Sequence, residues 1–313
     1  IPNILFLGLR VNPNLLNIFL AVLRLRKLVK NKKYTAIEVS GFGPSFLAAI
    51  ALVGLNIPVL VGFHEMYSSR HSGVKYLLWF QLLRNLKYLK FLAISKAVST
   101  SWIKSLKLDP QRVTVVYNSI NTTFYYPKAL PSITNTDLVK IIGAQSDHKI
   151  ILFVGRLMKS KGIDTLYNSL KQYLVSYRLH LLFVGRSDHS EDLNDIKLLD
   201  YIQKDVLKSP WRKHVHFMGT LSNVDEIMAA SDILVHPARS EGFGLVLAES
   251  LAVGLPIIAS NVGGIPEVLA ETDSILIPSN DSNSLVNAVF SILEWSPEKL
   301  AKAKIKGKER AKV

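Results

Sequence analysis

An α/β fold built from two successive domains, each with a mainly parallel sheet, is what the sequence predicts. Three observations point to it. Short apolar, β-branched runs alternate with longer amphipathic stretches along the chain, which is the pattern of strand-helix-strand units. The chain has 313 residues, 49% of them hydrophobic, beyond the ~250 residues at which one core usually stops growing. A segment rich in Pro, Ser, Thr and Asn, Tyr126-Pro127 to Thr136, interrupts the alternation. It marks a boundary and divides the chain into residues 1–140 and 141–313.

In the first half the strand candidates are Ile4–Leu7, Ala36–Val39, Val59–Val61, Phe91–Ile94 and Val113–Val116, with helices over Leu15–Val29 and Val74–Leu89. Phe46 to Phe63 carries no charge and imitates a membrane span, but Gly54, Asn56 and Pro58 interrupt it. It reads as a buried helix, a turn at Gly54-Leu55-Asn56 and a strand starting after Pro58. The alternation restarts at Ile150–Val154 and continues through Leu181–Val184, Val215–Phe217, Ile233–Val235, Ile257–Ala259 and Ser274–Ile277. Two such domains in succession predict a ligand cleft beyond the carboxyl ends of the strands.

The absence of Cys excludes a disulfide framework and a thiolate metal site. With no signal-peptide pattern at the start, the expected location is the cytoplasm. The net charge of +14 is one-sided: residues 1–140 hold 18 Lys and Arg against 4 Asp and Glu, while residues 141–313 hold 20 of each. Such asymmetry suggests an anionic partner for the first half. Leu15 to Lys33 carries Arg24, Arg26, Lys27, Lys30, Lys32 and Lys33. In the Val74–Leu89 helix, Leu78, Leu82, Leu86 and Leu89 are expected on the core side, while Phe80, Arg84 and Lys87, with Tyr76 and Lys90, form a basic and aromatic stripe. An anionic membrane surface, met peripherally, fits these features; a solvated basic face fits them too. No aromatic stacking platform or basic recognition motif accompanies the charge, so nucleic acid is not expected.

Two stretches carry chemistry. In Phe153-Val154-Gly155-Arg156-Leu157-Met158-Lys159-Ser160-Lys161-Gly162-Ile163, Arg156 and Lys161 sit before a helix expected near Ile163. The helix dipole disfavours cations there unless an anion lies between them, and a diphosphate would serve. A solvated basic loop is the alternative. In Ser240-Glu241-Gly242-Phe243-Gly244-Leu245-Val246-Leu247-Ala248-Glu249-Ser250, the glycines permit close backbone approach and a helix starting near Gly244 aims amides at the same place. That helix is apolar almost all round apart from Glu249 and Ser250. A carboxylate on it requires hydrogen bonds, which vicinal hydroxyls or a structural ion pair would supply. His64 directly follows the strand Val59–Val61 and its flank, and so stands at a carboxyl end. There is no Asp-x-Asp, and no His or carboxylate cluster has metal-ligand spacing.

The run Glu241-Gly-Phe-Gly-Leu-Val-Leu-Ala-Glu249 resembles the signature of glycosyltransferase family 4, retaining enzymes of the two-lobed GT-B fold. Gly155-Arg156-Leu157 with Lys161-Gly162, Ala230-Ser231-Asp232 before His236-Pro237, and Gly254-Leu255-Pro256 through Gly263-Gly264-Ile265-Pro266-Glu267 are similar to its flanking motifs. The resemblance implies two Rossmann-like domains facing a cleft, the first incomplete, with the chain shortened at both ends. It implies transfer of a sugar, of hexosyl type, from a nucleotide-diphosphate donor to a glycan or lipid-linked acceptor, with neither metal nor cofactor. Arg156 and Lys161 would neutralise the diphosphate and Glu249 would bind ribose. Glu241 would contact the transferred sugar, and the amides of Gly242, Phe243, Gly244 and Leu245 would hold sugar hydroxyls and phosphate oxygens. Gly219-Thr220-Leu221 would lie beside the base, and His64 would hydrogen-bond the sugar or assist proton movement. A sugar-nucleotide epimerase, or an inactive homologue that binds nucleotide or partners an active transferase, would share these features.

Overall fold

The structure is a computed structural model that describes residues 15–32, 34–55, 57–68, 81, 83–121, 134–186 and 192–313. Its chain forms two compact units, dividing between Asn118 and Ser119.

The first unit is a parallel sheet in the order β1-β2-β3-β4, from Ile37–Ser40 (β1), Val59–Phe63 (β2), Leu89–Ala93 (β3) and Val113–Val115 (β4). Among the described residues it is accompanied by the helices Leu15–Asn31 (α1), Phe42–Ala51 (α2) and Lys96–Leu106 (α3) and by a helical stretch before β3. Val59, Val61, Leu89, Phe91 and Ala93 are fully buried, and Phe63 stacks on Trp102 of α3 at 4.3 Å between ring centres. The uncharged run resolves as expected into α2, a turn and β2. Among the described residues no helix is long and apolar enough to cross a membrane.

The expected helix Val74–Leu89 overruns. Of its described residues, 81 and 83–85 are helical, and Leu89 already opens β3. The physical reason is Arg112, whose guanidinium donates to the carbonyls of Leu83, Arg84, Leu86 and Leu89 at 2.6–3.2 Å and closes the helix end from a distant part of the chain. Among the described residues of this segment Leu83 and Leu89 are fully buried and Leu86 is partly buried. Strand Ile4–Leu7 and the stripe residues Tyr76 and Phe80 lie outside the described residues.

The second unit is a six-stranded parallel sheet in the order β10-β9-β8-β5-β6-β7. Its strands are Lys149–Val154 (β5), Leu179–Val184 (β6), Val215–Gly219 (β7), Ile233–His236 (β8), Ile257–Ser260 (β9) and Ile275–Ile277 (β10). All six expected strands are present, with ends shifted by one or two residues. β6, β8 and β9 are buried along their whole length, as parallel strands covered on both faces must be, and this explains why they are apolar apart from His180, His236 and Ser260.

The helices are Asn135–Ile141 (α4), Ile163–Leu170 (α5), Leu193–Lys208 (α6), Val224–Ala230 (α7), Leu245–Val253 (α8), Ile265–Val268 (α9), Ser282–Leu293 (α10) and Pro297–Arg310 (α11). Thr134 caps α4 in a capping box with Asp137, and Asn135 donates to the Ala230 carbonyl, so α4 packs with the second unit. In α11, Ser296 is the N-cap and Pro297 the first residue; Gly307 lies against Leu251 of α8, and Arg310 donates to the Glu267 and Val268 carbonyls. The terminal helix thereby holds α8 in place.

Candidate active site

The order of the second sheet sets where a site can form. The chain starts at β5, fills one side through β6 and β7, then returns to place β8 against the other side of β5. The loops after β5 and β8 leave the same carboxyl edge in opposite directions, which opens the crevice where doubly wound sheets bind ligands. The β5 loop carries Arg156 and Lys161; the β8 loop carries Glu241 to Gly244 and leads into α8.

These loops are fastened to each other. Lys161 Nζ donates to Glu241 Oε2 at 2.6 Å, and both side chains are largely buried. His236 Nε2, at the end of β8, donates to the same oxygen at 3.0 Å. Burial by itself pushes the Glu241 carboxyl up, but the His236 hydrogen bond and the Lys161 charge outweigh it and hold it at about 2. Arg239 adds a second tie. It clasps Asp164 in the first turn of α5 at 2.7 and 2.9 Å, donates to the Lys159 carbonyl and Thr165 Oγ1, and its amide donates to the Ser160 carbonyl at 2.9 Å. From below, buried Asp195 accepts from the Lys159 amide at 2.8 Å.

Two glycines make this closeness possible. Gly162, at φ +75°, lies where a Cβ would come within 2.0 Å of the Pro237 carbonyl oxygen; Gly263, at φ +54°, lies where one would come within 1.9 Å of the Glu241 carbonyl oxygen. Only glycine fits either place.

Arg156 is exposed, and while its carbonyl accepts from the Met158 amide at 2.9 Å, its guanidinium has no partner among the described residues. Gly242, Phe243 and Gly244 are buried and Leu245 is exposed. α8 begins after Gly244 with no side-chain cap; the Leu247 amide turns back to the Gly244 carbonyl at 2.9 Å, and the amides of Leu245 and Val246 lack intrahelical partners. Glu249 is half-buried on that helix. One loop pair thus gathers an exposed guanidinium, a charged pair, helix-end amides and a second carboxylate. In the other unit, His64 follows β2 directly, is exposed, and shares a hydrogen bond of 3.1 Å with Ser40 Oγ at the end of β1.

The pairing of Lys161 with Glu241, 80 residues apart, leaves no mark in the local sequence, where the two suggest contacts to different parts of a ligand. Arg239, Asp164 and Asp195, which orient the loops, likewise belong to no motif. The dipeptide His236-Pro237 was visible, but the contact from His236 to Glu241 becomes legible only once β8 is seen to end there.

Residues 135–310 match the family model of glycosyl transferases group 1. The chain belongs to the group 1 glycosyl transferases. Residues 3–124 match the model of glycosyltransferase family 4. A UDP-Gal:alpha-D-GlcNAc-diphosphoundecaprenol alpha-1,3-galactosyltransferase of Escherichia coli is 27% identical over 291 residues, 90% of this chain and 72% of that protein. An uncharacterised glycosyltransferase of Methanocaldococcus jannaschii is 25% identical, over 84% of this chain and 67% of its own. Among solved structures, Anabaena HepE in complex with UDP and glucose superposes with a TM-score of 0.79 at 20% identity, covering 93% of this chain and 76% of HepE. A glycosyltransferase from Rickettsia africae gives 0.81 at 19%, covering 97% and 78%. The fold of this glycosyltransferase is GT-B, with two parallel-strand sheets.

The second unit also gathers histidines at the opposite, amino edge of its sheet. His148 precedes β5, His180 is the second residue of β6, and His214 and His216 flank the first residue of β7. Burial and the neighbouring imidazoles hold His180 down at about 3, and burial lowers His148 and His216 as well. Sequence spacing gave no sign of this cluster, which strand register assembles.

Proposed function

We propose that this glycosyltransferase is a retaining enzyme that takes a hexose from a nucleoside-diphosphate donor bound at the crevice between the β5 and β8 loops. The observation that carries the reading is the Lys161–Glu241 pair, set at the switch point between the Arg156 guanidinium, which has no partner among the described residues, and the start of α8, which has no side-chain cap. A diphosphate there would lie against Arg156, the Lys161 ammonium and the first amides of α8. Lys161 has three N–H groups and can keep Glu241 while taking a phosphate oxygen. These donors favour charge as it gathers on the leaving diphosphate. Glu241, held ionised, faces the developing positive charge of the sugar ring, and Glu249 takes the ribose hydroxyls. In the first unit, His64 takes a sugar hydroxyl. These roles need no metal at the crevice.

For the acceptor we propose a glycan or a lipid-linked sugar, met at an anionic membrane surface on the cytoplasmic side. The E. coli relative is named for a diphosphoundecaprenol acceptor, and residues 1–118, the first unit, hold 16 Lys and Arg against 3 Asp and Glu. Leu16, Phe19, Leu20 and Leu23 of α1 are exposed, and Lys27, Lys30 and Lys32 are exposed beyond them. This mixture suits a headgroup region. Two cations of the first half are otherwise engaged: Arg26 donates to the Ala51 and Val53 carbonyls at 2.7 Å, and Arg112 closes the helix before β3.

Two experiments test these readings. In calorimetric titrations, Arg156→Ala is expected to weaken UDP binding roughly ten- to a hundredfold, the equivalent of one charge-assisted hydrogen bond, ~1.5–3 kcal/mol, and to leave uridine binding unchanged. Equal losses for both ligands would remove the diphosphate assignment. In vesicle sedimentation, the protein should bind liposomes containing phosphatidylglycerol and be released by salt. Binding indifferent to both lipid charge and salt, or no binding, overturns the membrane reading.

A further inference from the structure

We propose that His148, His180 and His214 form a binding site for a borderline divalent transition metal, Zn²⁺ foremost, at the amino edge of the second sheet. One ring nitrogen from each lies within 4.8 Å of the other two. A metal holding three imidazoles at 2.0–2.1 Å keeps their nitrogens about 3.4 Å apart, so the three need to move by about an ångström or less. The strand register brings them together: His180 pairs with Ile150 across β5 and β6, and Val215, between His214 and His216, pairs with Leu181.

The hydrogen bonds leave lone pairs where a metal needs them. His214 Nδ1 lies 2.8 Å from the Leu179 carbonyl oxygen, which can only accept, so Nδ1 carries the proton and Nε2 is the free donor atom. His180 Nδ1 lies 3.0 Å from His216 Nε2. With His180 as donor there, its Nε2 lone pair points at His148 Nδ1, 2.8 Å away. His216 is thus the outer partner that orients a metal-ligating imidazole. Without metal, the proton between His148 and His180 sits on His148 Nδ1. On metal binding it moves to His148 Nε2, where Asp147 Oδ1 stands 4.0 Å away and Arg178 pairs with the same carboxylate. The exchange replaces one N–H···N bond with two metal–nitrogen bonds and conserves the proton.

The donor set discriminates among cations. Three neutral imidazoles suit Zn²⁺, Cu²⁺ or Ni²⁺ and are poor ligands for Mg²⁺ and Ca²⁺, which take oxygen. A fourth position is left for water or an anion. The site lies at the far end of β5 and β6 from the crevice, roughly 20 Å away at about 3.3 Å per residue. Its occupancy is therefore a matter separate from donor binding.

The test uses the whole chain without a histidine tag, stripped with EDTA. Zinc is titrated in competition with a chromophoric chelator, Co²⁺ is followed by its visible absorption, and UDP binding is measured in parallel. One equivalent of zinc should bind, with Co²⁺ giving the intense bands of four-coordinate geometry. His148→Gln and His214→Gln should each lower zinc affinity at least a hundredfold, and Asp147→Asn about tenfold. UDP binding should not change in any of them. Melting in EDTA identifies variants that fail to fold; His148→Gln and Asp147→Asn alter half-buried or exposed side chains and keep the proposal testable if His214→Gln does not fold. No stoichiometric zinc binding by the wild type, or the same affinity in the wild type and folded His148→Gln, overturns it.

Discussion

Glu241→Gln is expected to lower turnover by about 10²–10³-fold, the scale of losing one preorganised electrostatic group, while changing donor affinity far less. Glutamine keeps the shape and can still accept from Lys161 and His236, so the loop should stay in place. What it lacks is the charge, held in a pocket where burial opposes ionisation and the Lys161 and His236 contacts enforce it. An interaction made mainly in the transition state appears in kcat rather than in binding. Release of nucleoside diphosphate from UDP-, GDP- and ADP-hexoses measures it. An unchanged kcat would place the sugar elsewhere. The variant should also respond differently to acid. In the wild type the folded carboxyl titrates near 2 and the unfolded one near 4.5. Its stabilising contribution is fully present above pH 4.5 and is lost as the pH falls from there towards 2. Urea midpoints should accordingly drop less between pH 6 and pH 3 in Glu241→Gln than in the wild type.

The second large effect is expected from Gly263→Ala. The added carbon would meet the Glu241 carbonyl oxygen at 1.9 Å, and the backbone is left-handed there. The obstacle is main chain on both sides, because the Gly264 amide also donates to the Glu241 carbonyl at 3.1 Å. Either the β8 loop or the α9 loop must give way. Gly143→Ala supplies the reference: its φ is +67°, but nothing lies within 4 Å of its added carbon, so it should cost only the ~1–2 kcal/mol of a left-handed alanine. Gly263→Ala should melt several degrees lower than Gly143→Ala and lose most of its activity even where it is folded. Equal melting and equal activity for the pair would show that the Glu241 loop has slack.

What could be read in advance follows from whether the cause is local. The strands of the second sheet were legible because β6, β8 and β9 are buried on both faces and each carries a run of at least three apolar residues. α8 announced itself through Gly244 at its start, Gly254 at its end and a nearly all-apolar body. The Arg156, Lys161, Glu241 and Glu249 motifs could be found because each lies on a short loop or helix next to a strand. The helix end before β3 could not. Its periodic leucines run on into Leu89, and the residue that stops it, Arg112, stands more than 20 positions away. Arg239 is similar, since its partner Asp164 is 75 residues earlier. The histidines at the amino edge are 32 and 36 residues apart, and only strand register makes them neighbours. A search for histidines that open successive strands would have found them.

Arg239 also limits how such an enzyme can be rebuilt. Its guanidinium and amide join the β8 loop to the segment from Lys159 to Thr165, so the two cannot be exchanged one at a time. A graft that imports a foreign β8 loop to change donor preference must bring the matching β5 loop, or leave Asp164 without its cation and the transplanted loop without its anchor. Chimeras cut between these loops should fold poorly, and those that carry both should retain a working crevice, so the smallest transferable part of this enzyme is a pair of loops distant in sequence.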